Sequence, residues 1–467
     1  MRILSFLQPL LLGVLTASGV FAAEVITTSA ALVAAIRDGA EGSTIVIGPG
    51  TFAIDAPLAP KSGMTITGAG MEQTIIIGAA GWKPSTATLP DPEMKTKGMD
   101  TNAYLFRLQD KAQKVSISAM TLRGPQLHGA LFAWEPTDLR LSNVRIQEVL
   151  WSGVRTFGMK GAKITDCEFI DAGGRWDRGQ PGTKGGITGG AIFAIWMADC
   201  EIANNRFVRT RQAAQNEFYG IKVRQGKRCN VHHNSIAVNF SMEFPFENDE
   251  DNEISYNICH GTISIPKHAG GPVPASGKTF HFHHNLFLHG YALEFVRNGV
   301  EIDHNLFDFD PVKADGMNLI SAFGNADAAG PASFHDNLVK NPGRGVMWMN
   351  EVFNHLEIRN NHIITNTTPT PRTEGLFGFN AKCDFSTITI RDNIIECIGQ
   401  PRPLLRCAES YGATISNNAL TNVADADKLK NVAGTTKPGL SAPLAFRCGF
   451  HEETTIADGK ATTVTGR

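Results

Sequence analysis

Two cations raise the chemical question. Lys267 lies at the end of the short apolar segment "ISIPKH" and Arg297 near the end of "LEFVRN". Aligning these segments puts both residues at one position on consecutive repeat units, near the strand spacing of about 5 Å. Two cations that close depress each other's proton affinity, and lysine is the one that can yield a neutral amine. Such a pair suits β-elimination. A base removes the weakly acidic proton beside a uronate carboxylate, and a cation neutralises that carboxylate as charge develops. His268 adjoins the lysine and is a third catalytic candidate. Just before the pair, Asn239, Glu243, Glu247 and Asp249 offer the oxygen ligands that calcium takes. The same stretch, "FENDEDNE", reads equally as a solvated acidic turn. Glu243 and Glu294 suggest a different chemistry. They share a row two coils apart, roughly 9 to 10 Å between backbones, and side-chain reach brings them toward the spacing of inverting hydrolytic carboxylates. A non-catalytic sugar-binding surface is the third possibility, because fold does not fix function.

These residues need a scaffold, and a repeat supplies it. An apolar residue, two variable residues, Asn, one variable residue and another apolar residue recur in "CEIANNRF", "CNVHHNSI", "NEISYNIC", "FHFHHNLF", "VEIDHNLF" and further segments. The repeated asparagines are Asn143, Asn205, Asn234, Asn257, Asn285, Asn305, Asn337, Asn361, Asn393 and Asn418, with Cys167 in the same place. Repeats of this length cannot bury an apolar face alone and must stack. Each unit alternates in the manner of strands, and none carries a long amphipathic run. The expectation is an all-β solenoid, a parallel β-helix whose asparagines pass hydrogen bonds from coil to coil. The histidines that precede these asparagines read as corner residues.

The strands that follow the corners should present one working face. Alternation puts Arg155, Phe193, Lys222, Glu243, Ser264 and Glu294 outward in one row, Lys267 and Arg297 in another, and Glu247, His268 and Asn298 at the edge. Trp348 should point inward. Two long loops, "DAGGRWDRGQPGTKGGITGG" and "HAGGPVPASGK", should wall this face. Trp176, in the first loop, can stack on a sugar ring. Arg155, Trp176, Tyr219, Lys222, Arg224, Asn298 and Arg344 are the candidate substrate-binding residues, the partner being an extended anionic polysaccharide. Charges on a sheet face also serve simply to solubilise it and to pair across coils.

The first segment after residue 22, from "SAALVAAIRDG" to "GMTITGAG", resembles the opening coil of the pectate-lyase-like superfamily of right-handed parallel β-helices. The resemblance implies that handedness and an N-terminal capping helix. Lys267, followed one coil later by "LEFVRNG", resembles the lysine and arginine of the family 6 polysaccharide lyases, which include chondroitinase B and alginate lyases. It implies Lys267 as base, Arg297 as acid or carboxylate partner, and Glu243 and Glu247 among the ligands of a calcium ion. "RNG" stands where that family has Arg-His-Gly, and "PKHAGG" where it has Asn-Lys-Ser.

Composition bounds the rest. The 467 residues carry 42% hydrophobic and 19% charged side chains and 47 glycines, which favours a large core with many turns. A formal net charge of -2 provides no overall attraction for nucleic acid or an anionic membrane. Arg2, the run "ILSFLQPLLLGVL" and Val20-Phe21-Ala22 read as a secretory signal cleaved after Ala22, with no membrane span, so a secreted or periplasmic monomer is expected. The segments are then 1–22 signal, 23–425 β-helix and 426–467 C-terminal capping tail. The eight cysteines lack CxxC spacing. Cys200 and Cys229 both stand five residues before a repeated asparagine, so they should face each other as a disulfide or as buried thiols.

Overall fold

A computed structural model describes residues 24–82, 101–173, 175–176, 187–210, 219–237, 239–241, 250–261, 263–264, 277–288, 292–295, 299–310, 318–322, 332–349, 355–367, 374–379, 383–406, 408–448, 452–457 and 460–465. The repeating corner explains the architecture. Asp166, Asn204, His233, Tyr256, His284, His304, Asp336, Asn360, Asp392 and Asn417 have φ of 50° to 57°. This left-handed region is open mainly to Asn, Asp, His and Gly, which accounts for the residue types before the repeated asparagine. The next residue, from Cys167 to Asn418, turns inward and is buried.

Each inward amide oxygen accepts the backbone N–H of the rung before it. Asn205 accepts from Cys167 at 2.9 Å, Asn234 from Asn205 at 3.0 Å, and the pattern continues through Asn305, which accepts from Asn285 at 2.9 Å, to Asn418, which accepts from Asn393 at 3.0 Å. The amide NH2 donates to a carbonyl of the preceding coil, as Asn305 does to Phe282 at 2.9 Å. Asn143 is not part of this ladder. It sits at the left-handed position itself (φ 54°) and is exposed, while Val144 occupies the inward place. The ladder also runs one rung further than the repeat suggests, because Asn431 accepts the Asn418 N–H at 3.0 Å.

Strands before and after this corner stack in parallel as a 27-stranded sheet, and a 12-stranded sheet forms the other long face among the described residues. Between them lies one continuous apolar core with aligned aromatic rungs. Phe169 and Phe207 stack at 4.8 Å, as do Phe287 and Phe307. A helix, Ser29–Asp38, opens the solenoid. Thr28 caps it by accepting the Ala31 N–H, and Leu32 and Ile36 are buried where it packs on strands Thr44–Ile47 and Gly50–Ile54. It covers a coil end that would otherwise be a bare sheet edge.

After the last rung the chain turns back along the outside of the coils. The Gly439 N–H donates to the Asp392 carbonyl at 2.8 Å and the Ser441 N–H to Asp336 Oδ1 at 2.8 Å, before Leu444 is buried against Leu306 and Leu338. Strands Leu444–Cys448, Glu452–Ala457 and Lys460–Thr465 form an antiparallel sheet. Among the described residues no helix is long and apolar enough to cross a membrane. The signal segment lies outside the described residues.

Cys200 and Cys229 do face each other on adjacent coils, as free buried thiols. Their mutual hydrogen bond and burial push the Cys200 thiol up.

Candidate functional site

The outer side of the 12-stranded sheet carries most of the candidate residues. Strand register sets its main row as Arg107, Phe132, Arg155, Phe193, Lys222, Ser241, Ser264, Glu294, Ser321, Trp348 and Gly378. Arg155, Phe193, Lys222, Ser264 and Glu294 are therefore in one row, as the alternation predicts. Glu243 is not its fourth member. Lys222 pairs with Ser241, and Phe240 pairs with Ile263. A shift of even register leaves alternation intact, so periodicity alone could not detect it.

Trp348 also departs from expectation. Leu293 pairs with Ile320 and Ile320 with Met347, which turns Trp348 outward. It lies over Gly378, where an added Cβ would come within 2.1 Å of its ring, and the Arg406 guanidinium stacks 4.1 Å from it. Adjacent apolar pairs, Leu319-Ile320 and Val346-Met347, made either residue a plausible core position.

At the N-terminal end of the row the outward side chains form a second apolar layer. Tyr104, Phe132, Trp151, Phe157, Phe193 and Ile195 are buried together, with Trp134 packed against them. Into this layer comes Arg155, only 2% exposed, its guanidinium 3.8 Å from the Phe193 ring, 4.4 Å from Phe157 and 5.2 Å from Trp151. Desolvation lowers its pKa to about 9, with Tyr104 opposing and Arg224 adding to the shift. Its Nη1 donates to the Phe193 carbonyl at 3.4 Å, but Nε has no hydrogen-bond partner and no described carboxylate pairs with it. Lys222 Nζ lies 5.4 Å and the Arg224 guanidinium 5.7 Å from the same Phe193 ring, and Tyr219 is 5.1 Å from Lys222 Nζ. Ring faces stabilise cations where water is excluded, by about 2 kcal/mol. Three positive charges thus gather on one aromatic floor.

Beside this floor stands Trp196, half exposed and held at φ 57°. A bulky residue in that region is strained, and strain of this kind concentrates at working sites. Sequence reading passed over it because "AIFAIWMA" scans as a buried strand. Strand register puts Trp196 in line with Gly158 (φ 66°), so a left-handed kink recurs on the neighbouring coil.

The remaining candidates divide in two. Arg344 is committed to Glu374 through contacts of 2.6 and 2.8 Å, which ties it to the turn before the following strand. Lys267, His268, Arg297, Asn298, Glu243, Glu247 and Asp249 lie outside the described residues. For Asn239, Glu294 and Trp176 the backbone alone is described, the last pairing with Ile187 in an antiparallel ribbon.

Residues 129–307 match the family model for a right handed beta helix region. Together with the stacked parallel sheets, this gives the fold of a right-handed parallel β-helix. No curated protein matches the sequence. Among solved structures, an alginate lyase from Paenibacillus sp. str. FPU-7 is similar at 13% identity, over 71% of this chain and 98% of that one, with a TM-score of 0.41. The A-module of a mannuronan C-5 epimerase from Azotobacter vinelandii has 12% identity over 88% and 91%, with a TM-score of 0.37. A surface adhesin of Streptococcus pneumoniae has 12% identity over 94% and 96%, with a TM-score of 0.45. At such identities the likeness concerns the coil and carries nothing about reaction.

Proposed function

We propose that the chain binds an extended anionic polysaccharide along the outer face of the 12-stranded sheet and cleaves it by β-elimination next to a uronate. The observation that carries this reading is the cluster of Arg155, Lys222 and Arg224 around Phe193, with Arg155 buried and lacking a carboxylate partner among the described residues. Such a floor favours a ligand bearing regularly spaced negative charge and sugar faces. Arg155 acts from beneath, through its field, because its burial keeps it from direct contact. Lys222, 5% exposed, is nearly as buried, and the partly exposed Arg224 stands nearer the ligand.

Chemistry is assigned further along the row. Ser264 and Glu294 form a paired rung, and Lys267 and Arg297 each follow a member of that rung by three positions. In the proposed reaction Lys267 takes the proton beside the uronate carboxylate, Arg297 balances the charge on that carboxylate, and the electron pair expels the glycosidic oxygen to leave an unsaturated sugar.

The deciding measurement incubates the purified protein with uronate-containing and sulfated polysaccharides, following ultraviolet absorbance of unsaturated uronate together with reducing ends. Both signals should rise, and both should vanish in Lys267→Ala. Reducing ends alone would convert the assignment to hydrolysis, and neither signal with retained polymer binding would make the protein a binder.

A further inference from the structure

The solvent side of the 27-stranded sheet carries an ordered pattern of its own. One row runs Glu201, Asn230, Glu253, His281, Glu301, Ser333 and Glu357 along successive coils. A second row, two residues further on each strand, runs Ala203, His232, Ser255, His283, Asp303, His335 and Arg359, then Arg391. Acids of the first row reach diagonally to bases of the second on the next coil. Glu201 meets His232 at 3.3 Å, Glu253 meets His283 at 3.1 Å, Glu301 meets His335 at 3.2 Å, and Glu357 meets Arg391 at 2.7 Å.

At one step the order is reversed. His281 takes the acid's place and Asp303 the base's, with His281 Nε2 and Asp303 Oδ1 2.5 Å apart. Because His281 pairs with Glu301 and His283 with Asp303, strands Phe280–His283 and Val300–Asp303 together present a square of two imidazoles and two carboxylates. Ligand atoms of His281, Glu301 and Asp303 all lie within 4.8 Å of one another. Elsewhere in the zipper each acid lies opposite a base. Here two carboxylates two residues apart on one strand converge on a single imidazole.

We propose that His281, Glu301 and Asp303 form a site for a divalent transition-metal ion of the zinc class. One imidazole nitrogen and two carboxylates suit such an ion better than a hard cation, which prefers oxygen alone. Bonds of about 2.0–2.2 Å need ligand atoms roughly 3 to 3.5 Å apart. The present group reaches that by opening the His281–Asp303 contact by less than about 1 Å and drawing Glu301 inward. The carboxylates are oriented from outside the group. His304 Nδ1 holds Asp303 Oδ2 at 2.5 Å, and His335 Nε2 holds Glu301 Oε1 at 3.2 Å. Outer hydrogen bonds of this kind are what fix metal ligands in place. Lys278, which competes for Glu301, is exposed, its Nζ lying 3.6 Å from Oε2 and its side chain 65% accessible. His281 and Glu301 are half-buried, so three protein ligands leave a position open to water or an external ligand. A bound ion would join two successive coils on a face separate from the cationic aromatic floor.

Isothermal titration of zinc into untagged, chelator-treated full-length protein at neutral pH tests this, with calorimetric Tm measured in parallel. One saturable site and a raised Tm are expected, and His281→Gln and Asp303→Asn should each weaken binding at least tenfold. Glu357→Gln, in the same zipper but away from the square, should bind as the parent does. If Asp303→Asn fails to fold, the partly exposed His281→Gln with Glu301→Gln carries the comparison. No saturable binding, or equal binding in these variants and the parent, would overturn the site.

Discussion

Arg155 and Trp196 are the residues whose placement asks most of the fold. A buried guanidinium held by rings and one carbonyl contributes little to stability, so replacing it with an apolar side chain of similar length should be neutral or stabilising. Arg155→Met is expected to keep or raise Tm while weakening affinity for an anionic polymer at low salt. A large fall in Tm would mean that the charge serves structure instead. Trp196→Gly should relieve left-handed strain, stabilising by about 1 kcal/mol, yet reduce oligosaccharide binding, as measured by calorimetric titration. Unchanged binding in that variant would remove Trp196 from the site. Neither role shows in the linear chain. "VRTF" and "IFAIW" look like ordinary strands, and Arg155 meets Phe193 only when coils separated by 38 residues stack.

At the scale of elements, the asparagine corner and the returning tail carry distinct predictions. Asn305→Ala would leave the Asn285 backbone N–H and one N–H of its amide without their acceptor, costing about 2 kcal/mol or more at roughly 1–3 kcal/mol per buried group. Asn431→Ala, at a half-buried end rung, should cost clearly less in denaturant titration. The tail is held by carboxylates. Burial opposes the charge on Asp336, yet hydrogen bonds from His335 and Ser441 bring its pKa down to about 2. A carboxylate depressed in the folded state stabilises above its unfolded value of about 4 and loses that contribution as pH falls through its folded value. Asp392, which accepts from Asn417, Arg391 and Thr436, is lowered as well. Hydrogen exchange across 434–444 should therefore quicken between about pH 4 and pH 2, before the coils open. Loss of protection already at pH 6 would exclude this carboxylate control.

For the whole molecule, the solenoid separates its faces, with the cationic aromatic floor on one sheet and the histidine-carboxylate zipper on the other. Cys167, Cys200, Cys229, Cys259, Cys383 and Cys397 are buried, so at most two of the eight cysteines should react quickly with a thiol reagent before denaturation, and faster titration of more would contradict the core packing. The asparagine repeat, its corner histidines, the capping helix and the facing of Cys200 with Cys229 were legible in the chain because each is a local requirement. A left-handed corner selects Asn, Asp or His, and a ladder rung needs an amide. Register across coils was legible only in part. A shift by two residues preserves alternation, which hid Ser241 behind Glu243, and adjacent apolar residues concealed the outward turn of Trp348. By itself the sequence determined that the chain coils, and where its corners fall, because those demands act within a few residues. Only the tertiary structure decided which side chains share a rung, because rung partners lie 20 or more residues apart and are chosen by the packing of whole coils.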